Sequence, residues 1–288
     1  MTRTRKKTTV IVVAIAAALG LSAANSWSAL VYSQDFESSA AATEYASGDF
    51  NPAAAAPPSD QVIRGEGAVN IIQVVDASTD PNGGTAPQVI GLKSLKIDSA
   101  AGGPCCPVMD VHPWGQGNSN PGTSSTIALS FYGVPGAGGS ARLLEVYGSP
   151  ATGDPFGPFT FAFRFDEDGT VFYDSGGWQV AEFTVSQNQW NHIAIASFTD
   201  GGSADFVEIS LNGTTYSNSG TGYGDANSVS PSTDRFHFGG QTTAGDETLI
   251  FVDNVKISDQ YNLQLPEPGT LALMAMGFVF LRRFRRVA

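Results

Sequence analysis

Hydrophobic and polar positions follow three rhythms along this chain. Residues 10–21 form an unbroken apolar run. From Leu30 onward, short stretches alternate apolar and polar positions and are separated by Gly, Asn, Asp and Pro. A period of two marks strands that bury one face. Near the end a second apolar run covers residues 270–281. In the middle region strands are predicted over residues 30–37, 69–75, 92–98, 126–132, 142–147, 159–165, 171–173, 178–185, 190–199, 206–211, 235–238 and 249–258. Phe159, Phe161, Phe163 and Phe165 alternate with Thr160, Ala162 and Arg164, so all four rings are expected on one face, in a core. Asp166-Glu167-Asp168-Gly169 and Asn212-Gly213 read as hairpin turns. Residues 101–124, mostly Gly, Pro, Ser and Asn, are expected to form a long loop. With little helical periodicity, the expected fold is all-β: antiparallel sheets packed face to face in one β-sandwich over residues 29–258.

Charge changes the picture at both ends. Arg3, Arg5, Lys6 and Lys7 precede the first apolar run, and small residues follow it up to Ser28. This is the layout of a secretory signal peptide, residues 1–28, with a helix too short to span a bilayer: twelve residues give about 18 Å. After the second apolar run come Arg282, Arg283, Arg285 and Arg286, a basic stop expected on the cytoplasmic side of a C-terminal transmembrane helix. Residues 259–265 read as a spacer before that tail. The formal net charge is -12, but between Leu30 and Leu265 there are 26 acidic residues against seven basic ones, leaving the body near -19. Such a surface repels nucleic acid and suits solubility, cations or neutral sugars.

Candidate chemistry in the body is sparse. Asp166, Glu167 and Asp168 form the one dense acidic cluster, but they sit at a Gly turn, where Asp serves local hydrogen bonding. No nucleophile elbow, zinc signature or phosphate loop occurs. His192 and His237 fall in predicted strands and are expected to be hydrogen-bonded structural residues. Cys105 and Cys106 are adjacent; a strained disulfide between them, pairing with another chain, and a soft-metal site with Met109 and His112 stay open. Trp114, Trp178 and Tyr223, in or beside Gly-rich stretches, are candidate carbohydrate-binding aromatics.

Two resemblances add to this. Trp190-Asn191-His192-Ile193-Ala194, followed by Val207 to Asn212-Gly213, resembles the laminin-G-like and concanavalin A-like jelly rolls, as do Asp35-Phe36-Glu37 and Val252-Asp253-Asn254-Val255 at the two ends of the body. That resemblance implies first and last strands lying side by side, and a structural calcium held by Asp35, Glu37 and Asp253. The enzymes of this fold that cleave laminarin-type glucans carry Glu-x-Asp-x-x-Glu, which is missing here. Pro266-Glu267-Pro268, the apolar run 270–281 and the arginine cluster resemble the PEP-CTERM sorting signal of Gram-negative bacteria. A sortase signal would need Thr where Pro268 stands. The PEP-CTERM resemblance implies export, recognition of Pro266, Glu267 and Pro268 by an exosortase in the inner membrane, and association with exopolysaccharide. The expectation is a noncatalytic surface or extracellular-matrix protein with no required cofactor. The alternative is a secreted carbohydrate-active enzyme or lectin-like module.

Overall fold

The alternating stretches fold as antiparallel strands. The computed structural model describes residues 30–37, 60–64, 70–76, 93–99, 108–115, 117–133, 142–150, 159–187, 189–198, 206–217, 223, 233–240 and 248–263. Among them the strands are β1 (Leu30–Gln34), β2 (Asp60–Arg64), β3 (Asn70–Asp76), β4 (Lys93–Ser99), β5 (Val108–His112), β6 (Ser124–Gly133), β7 (Arg142–Ser149), β8 (Phe161–Asp166), β9 (Thr170–Asp174), β10 (Trp178–Thr184), β11 (Trp190–Phe198), β12 (Phe206–Leu211), β13 (Thr214–Tyr216), β14 (Arg235–Gly239) and β15 (Thr248–Ser258). No helix occurs among the described residues. The signal segment, Cys105, Cys106 and the C-terminal tail with its apolar run lie outside them.

Two sheets result. The first has eight strands in the order β13-β12-β11-β6-β15-β4-β3, with β1 also on β15. The second has seven, in the order β10-β9-β8-β7-β14-β5-β2. The first and last strands of the body do lie side by side. Local turns behave as their residues dictate. Gly169, at φ +89°, closes the β8–β9 hairpin by donating to the Asp166 carbonyl at 3.0 Å, and Asp168 Oδ1 accepts the Thr170 N–H at 2.8 Å. Asn212 and Gly213, at φ +50° and +84°, make the tight β12–β13 turn.

The core lies between the sheets. Phe131 from β6 meets Phe165 from β8 with ring centroids 5.3 Å apart, and Phe161, Phe163, Phe236 and Phe238 extend the layer. Of the four phenylalanines expected there, three arrive. Phe159 precedes the strand and stacks instead on Tyr147 at 4.7 Å. At β15 the core alternation changes phase: Ile250 and Val252 point inward, then Val255 and Ile257. A bulge causes this, since two steps along β6 (Ser130 to Ala128) face three along β15 (Asp253 to Lys256), with Asn254 at φ +52°.

Three further features matter. The stretch 101–124 is not all loop, because Val108–His112 forms β5 deep in the second sheet. Five residues bracketed by prolines are too short to stand out against a Gly- and Pro-rich background. The stretches 126–132 and 142–147, which flank a glycine-rich segment, belong to different sheets and do not pair as a hairpin. Finally, residues after β15 remain fastened to the body. Thr126 Oγ1 donates to the Gln260 carbonyl at 2.7 Å and accepts the Asn262 N–H at 3.0 Å, and Tyr261 sets its ring edge-on to Phe198 at 5.6 Å.

Candidate functional site

Three neighbouring strands of the second sheet alternate core residues with ionisable ones. In β14, Phe236 and Phe238 enter the core, so Arg235 and His237 turn to the opposite face. In β5, Met109 and Val111 enter it and Asp110 and His112 turn away. In β7, Leu144 and Val146 enter it, leaving Glu145, Tyr147 and Ser149 on the same outer face. Register then sets these groups side by side. His237 pairs with Asp110 on one flank and Tyr147 on the other, and Arg235 pairs with Ser149. All seven are buried although they face away from the core.

Asp110 is the hub. Its Oδ1 lies 3.3 Å from His237 Nδ1, and its Oδ2 lies 3.3 Å from His112 Nε2 and 3.2 Å from Arg235 Nη2. Across the imidazole, His237 Nε2 is 3.0 Å from Ser149 Oγ. Carboxylate, imidazole and hydroxyl thus follow one another, the first two at ion-pair distance and the last two hydrogen-bonded. Tyr147 donates its hydroxyl proton to Glu145 and meets His237 edge-on at 6.4 Å. Burial pushes the Asp110 carboxyl up, but His237, His112 and Arg235 outweigh it and hold the group well below the usual carboxylate range. The Asp110 Oδ1–His237 Nδ1 approach is an ion-pair distance and not a hydrogen bond, so the direction of the proton between Ser149 Oγ and His237 Nε2 depends on the tautomer of the ring.

The same outer face continues toward the edge of the sheet. One transverse row of register partners runs Val180, Phe172, Arg164, Glu145 and Gly239. The Arg164 guanidinium sits 4.1 Å above the Phe172 ring and 5.1 Å from the Trp178 ring, and pairs with Asp166 at 2.9 Å. Trp178 is 38% exposed and Val180 65%. At about 4.8 Å per strand, this apolar ledge on β10 stands roughly 19 Å from His237 on β14.

Of the aromatics singled out in the sequence, Trp178 alone offers its ring to solvent. Trp114 is packed into the core cluster, 8% exposed. Tyr223 is wholly buried among Phe163, Tyr173 and Phe183, and burial, with the neighbouring Glu182 that receives its hydroxyl, pushes its pKa up. Both corrections have one cause: a Gly-rich neighbourhood says nothing about whether the ring finds a hydrophobic partner. Met109 is also a core side chain, so it is not available to a soft-metal site. His192, as expected, is hydrogen-bonded, its Nδ1 lying 2.7 Å from Ser130 Oγ.

The carboxylates offered for calcium lie near enough to act on one another. Asp253 is buried at the β15 bulge. Burial, and then the charges of Glu37 and Asp35, push its pKa up to about 8. Its Oδ1 accepts the Asn254 N–H at 2.7 Å, while Oδ2 has no hydrogen-bond partner among the described residues. Glu37 is turned to another task, since its Oε1 accepts the Lys93 N–H at 2.9 Å. No three His, Cys, Asp or Glu side chains among the described residues form a group able to hold a metal ion.

Sequence reading misses Asp110, Ser149 and Arg235 as functional groups. The signal was present in Val108-Met109-Asp110-Val111-His112, Leu144-Glu145-Val146-Tyr147 and Arg235-Phe236-His237-Phe238. Each places ionisable residues at every second position of a strand whose other face is core.

Comparison with known proteins sharpens this selectively. No curated protein is detectably similar to the chain. Among solved structures it is similar to a carbohydrate esterase from the Shiga toxin-encoding bacteriophage phi24B (14% identity, TM-score 0.47, covering 79% of this chain and 97% of that one). It is also similar to an endo-β-1,4-glucuronan lyase from Trichoderma reesei (10%, 0.47, 70% and 91%). A third is the catalytic domain of a glycoside hydrolase family 131 protein from Coprinopsis cinerea (12%, 0.47, 84% and 99%). These are distant likenesses of fold, and no residue role is carried over from them. All three of these proteins are enzymes, against the expectation of a noncatalytic body, and the likeness itself assigns no activity to this chain. At the C-terminus, residues 264–286 match the PEP-CTERM protein-sorting motif.

Proposed function

We propose that this chain is exported, sorted by an exosortase through its PEP-CTERM motif, and acts on carbohydrate at the cell surface or outside the cell. Residues 1–28 serve as signal peptide for the export machinery, and residues 29–258 form a sandwich of the laminin-G-like and concanavalin A-like kind. Residues 259–265 lead into the tail, residues 266–288. Pro266, Glu267 and Pro268 are the recognition residues. The apolar helix 270–281 holds the chain in the inner membrane until processing, with Arg282, Arg283, Arg285 and Arg286 on the cytoplasmic side.

One observation carries the carbohydrate reading. A solvent-facing tryptophan, Trp178, shares a sheet face with a buried series of carboxylate, imidazole and hydroxyl. Aromatic rings beside polar groups hold sugars, and a poised imidazole performs acid–base chemistry. The polysaccharide lies on the exposed Trp178 and Val180 ledge, and the buried Asp110–His237 centre lies further across the same sheet face. Exopolysaccharide of the producing cell is the natural partner for a protein sorted to that surface. Calcium enters this reading as a structural ion bound by the orphan oxygen of Asp253, with Asp35 and Glu37 adding negative charge nearby.

The test is incubation of the full-length chain, purified in detergent, with a panel of neutral and uronic-acid polysaccharides, followed by product mass and binding measurements. Binding is expected, with a changed product mass, and Trp178→Ala should weaken binding about tenfold, near 1.4 kcal/mol. A chain that neither binds nor alters any member of the panel overturns the reading.

A further inference from the structure

We infer that the reaction at this centre is hydrolysis of ester bonds, specifically of acyl groups carried on carbohydrate hydroxyls, with Ser149 as nucleophile. The inference rests on the carbohydrate reading above and deepens it.

The geometry selects the chemistry. Ester hydrolysis needs a hydroxyl whose proton a base can take, and a third group that fixes the base. Ser149 Oγ lies 3.0 Å from His237 Nε2, and Asp110 Oδ1 lies 3.3 Å from Nδ1. These are the roles of nucleophile, general base and orienting carboxylate, supplied by three different strands. Glycosidic cleavage asks for something else: one carboxylic acid ready to donate a proton and a second carboxylate facing the sugar. Asp110 is enclosed by His112, Arg235 and His237 and stays charged, while Glu145 is engaged by the Tyr147 hydroxyl. Neither carboxyl group is placed as a proton donor to a glycosidic oxygen. Arg235, the register partner of Ser149, adds positive charge to the same face, with its guanidinium paired to Asp110.

The step balances as follows. Ser149 Oγ attacks the acyl carbon, and its proton passes to His237 Nε2. The tetrahedral adduct collapses, the ester C–O bond breaks, and the sugar oxygen leaves with the proton from Nε2. Water then attacks the acyl-serine and gives one proton to Nε2. Collapse releases the carboxylic acid, and that proton returns to Ser149. The sum is ester plus water giving acid plus alcohol, with Asp110 a carboxylate throughout. Trp178 holds the glycan and does not touch the ester.

The full-length chain in detergent is offered p-nitrophenyl acetate and, separately, an O-acetylated xylan, and acetate is measured. It is also treated with a fluorophosphonate and digested for mass spectrometry. Acetate release from both substrates and an adduct on Ser149 are expected. Ser149→Ala should lose at least ~10³-fold in acetate release while its melting temperature and xylan binding stay unchanged. Ser149→Cys preserves the shape of the site and should keep measurable acyl transfer. If the folded chain releases no acetate and Ser149 takes no adduct, the ester inference falls. Should the same chain still bind or cut polysaccharide, the carbohydrate reading survives that failure. Acetate release without any polysaccharide binding overturns the carbohydrate reading and leaves Ser149 as an esterase nucleophile for other acyl groups.

Discussion

Asp253 is a carboxyl group in the wrong solvent for its charge. Folding buries it at the β15 bulge, close to Asp35 and Glu37, and raises its pKa from 3.8 to about 8. The folded chain therefore binds this proton more tightly than the unfolded chain between those two values. Its contribution to stability is fully present below pH 3.8 and is lost as pH rises toward 8. Asp253→Asn keeps an oxygen for the Asn254 N–H and removes the charge. We expect the melting temperature of the wild type to fall from pH 5 to pH 8 and that of the variant to fall less. The gap at pH 8 should be several degrees, at about 2–4 °C per kcal/mol for a body of this size. Identical pH profiles would remove Asp253 as a source of that dependence. Millimolar calcium at pH 8 provides a second arm: if the ion seats on this carboxylate, it raises the wild-type melting temperature and leaves the variant unmoved.

At the scale of elements, the tightest constraint is where β7 crosses the core face of the second sheet. A methyl group added at Gly148 would run into the Phe161 ring and come within 2.7 Å of Thr233 Cγ2. Both neighbours are buried, so neither can swing aside freely. Gly148→Ala should therefore cost about 1–3 kcal/mol in urea unfolding, and Phe161→Leu in the same chain should recover part of it. A neutral Gly148→Ala would mean that β7 and β8 shift against each other more easily than their packing suggests. This element also shows what sequence can and cannot disclose. The bulge in β15 is legible, because Ile250-Phe251-Val252 and Val255-Lys256-Ile257 carry apolar positions in two phases with Asp253-Asn254 between them. The Asn212-Gly213 and Asp166–Gly169 turns are legible because φ above zero demands such residues. β5 is not, since five residues give barely two periods of alternation. The candidate site fails for a related reason. Asp110, Ser149 and His237 are spread over nearly 130 positions, and only strand order and register bring them together. A pattern read locally finds strands, but it does not find which strands are neighbours.

For the whole molecule, the sorting motif predicts a covalent event. Intact mass spectrometry of the protein from its native producer should show loss of the C-terminal tail, while a host lacking an exosortase should yield the chain with Ala288 retained. Ala288 in the mature native protein would leave the tail as a permanent anchor.

The strand order has a kinetic consequence. β15, residues Thr248–Ser258, is an inner strand of the first sheet, bonded to β4 and β6 and also to β1, and β14 is an inner strand of the second. Both follow every strand they pair with, so neither sheet closes until the strands before them have been synthesised. The pairings of β1 and β4 with β15 span more than 140 residues each, and such distant closures are slow. A nascent chain of this order stays open while it is made, which is the state a secretion channel can thread. Under the proposed export, the sandwich would assemble after translocation, and delay in folding would become part of the route out of the cell.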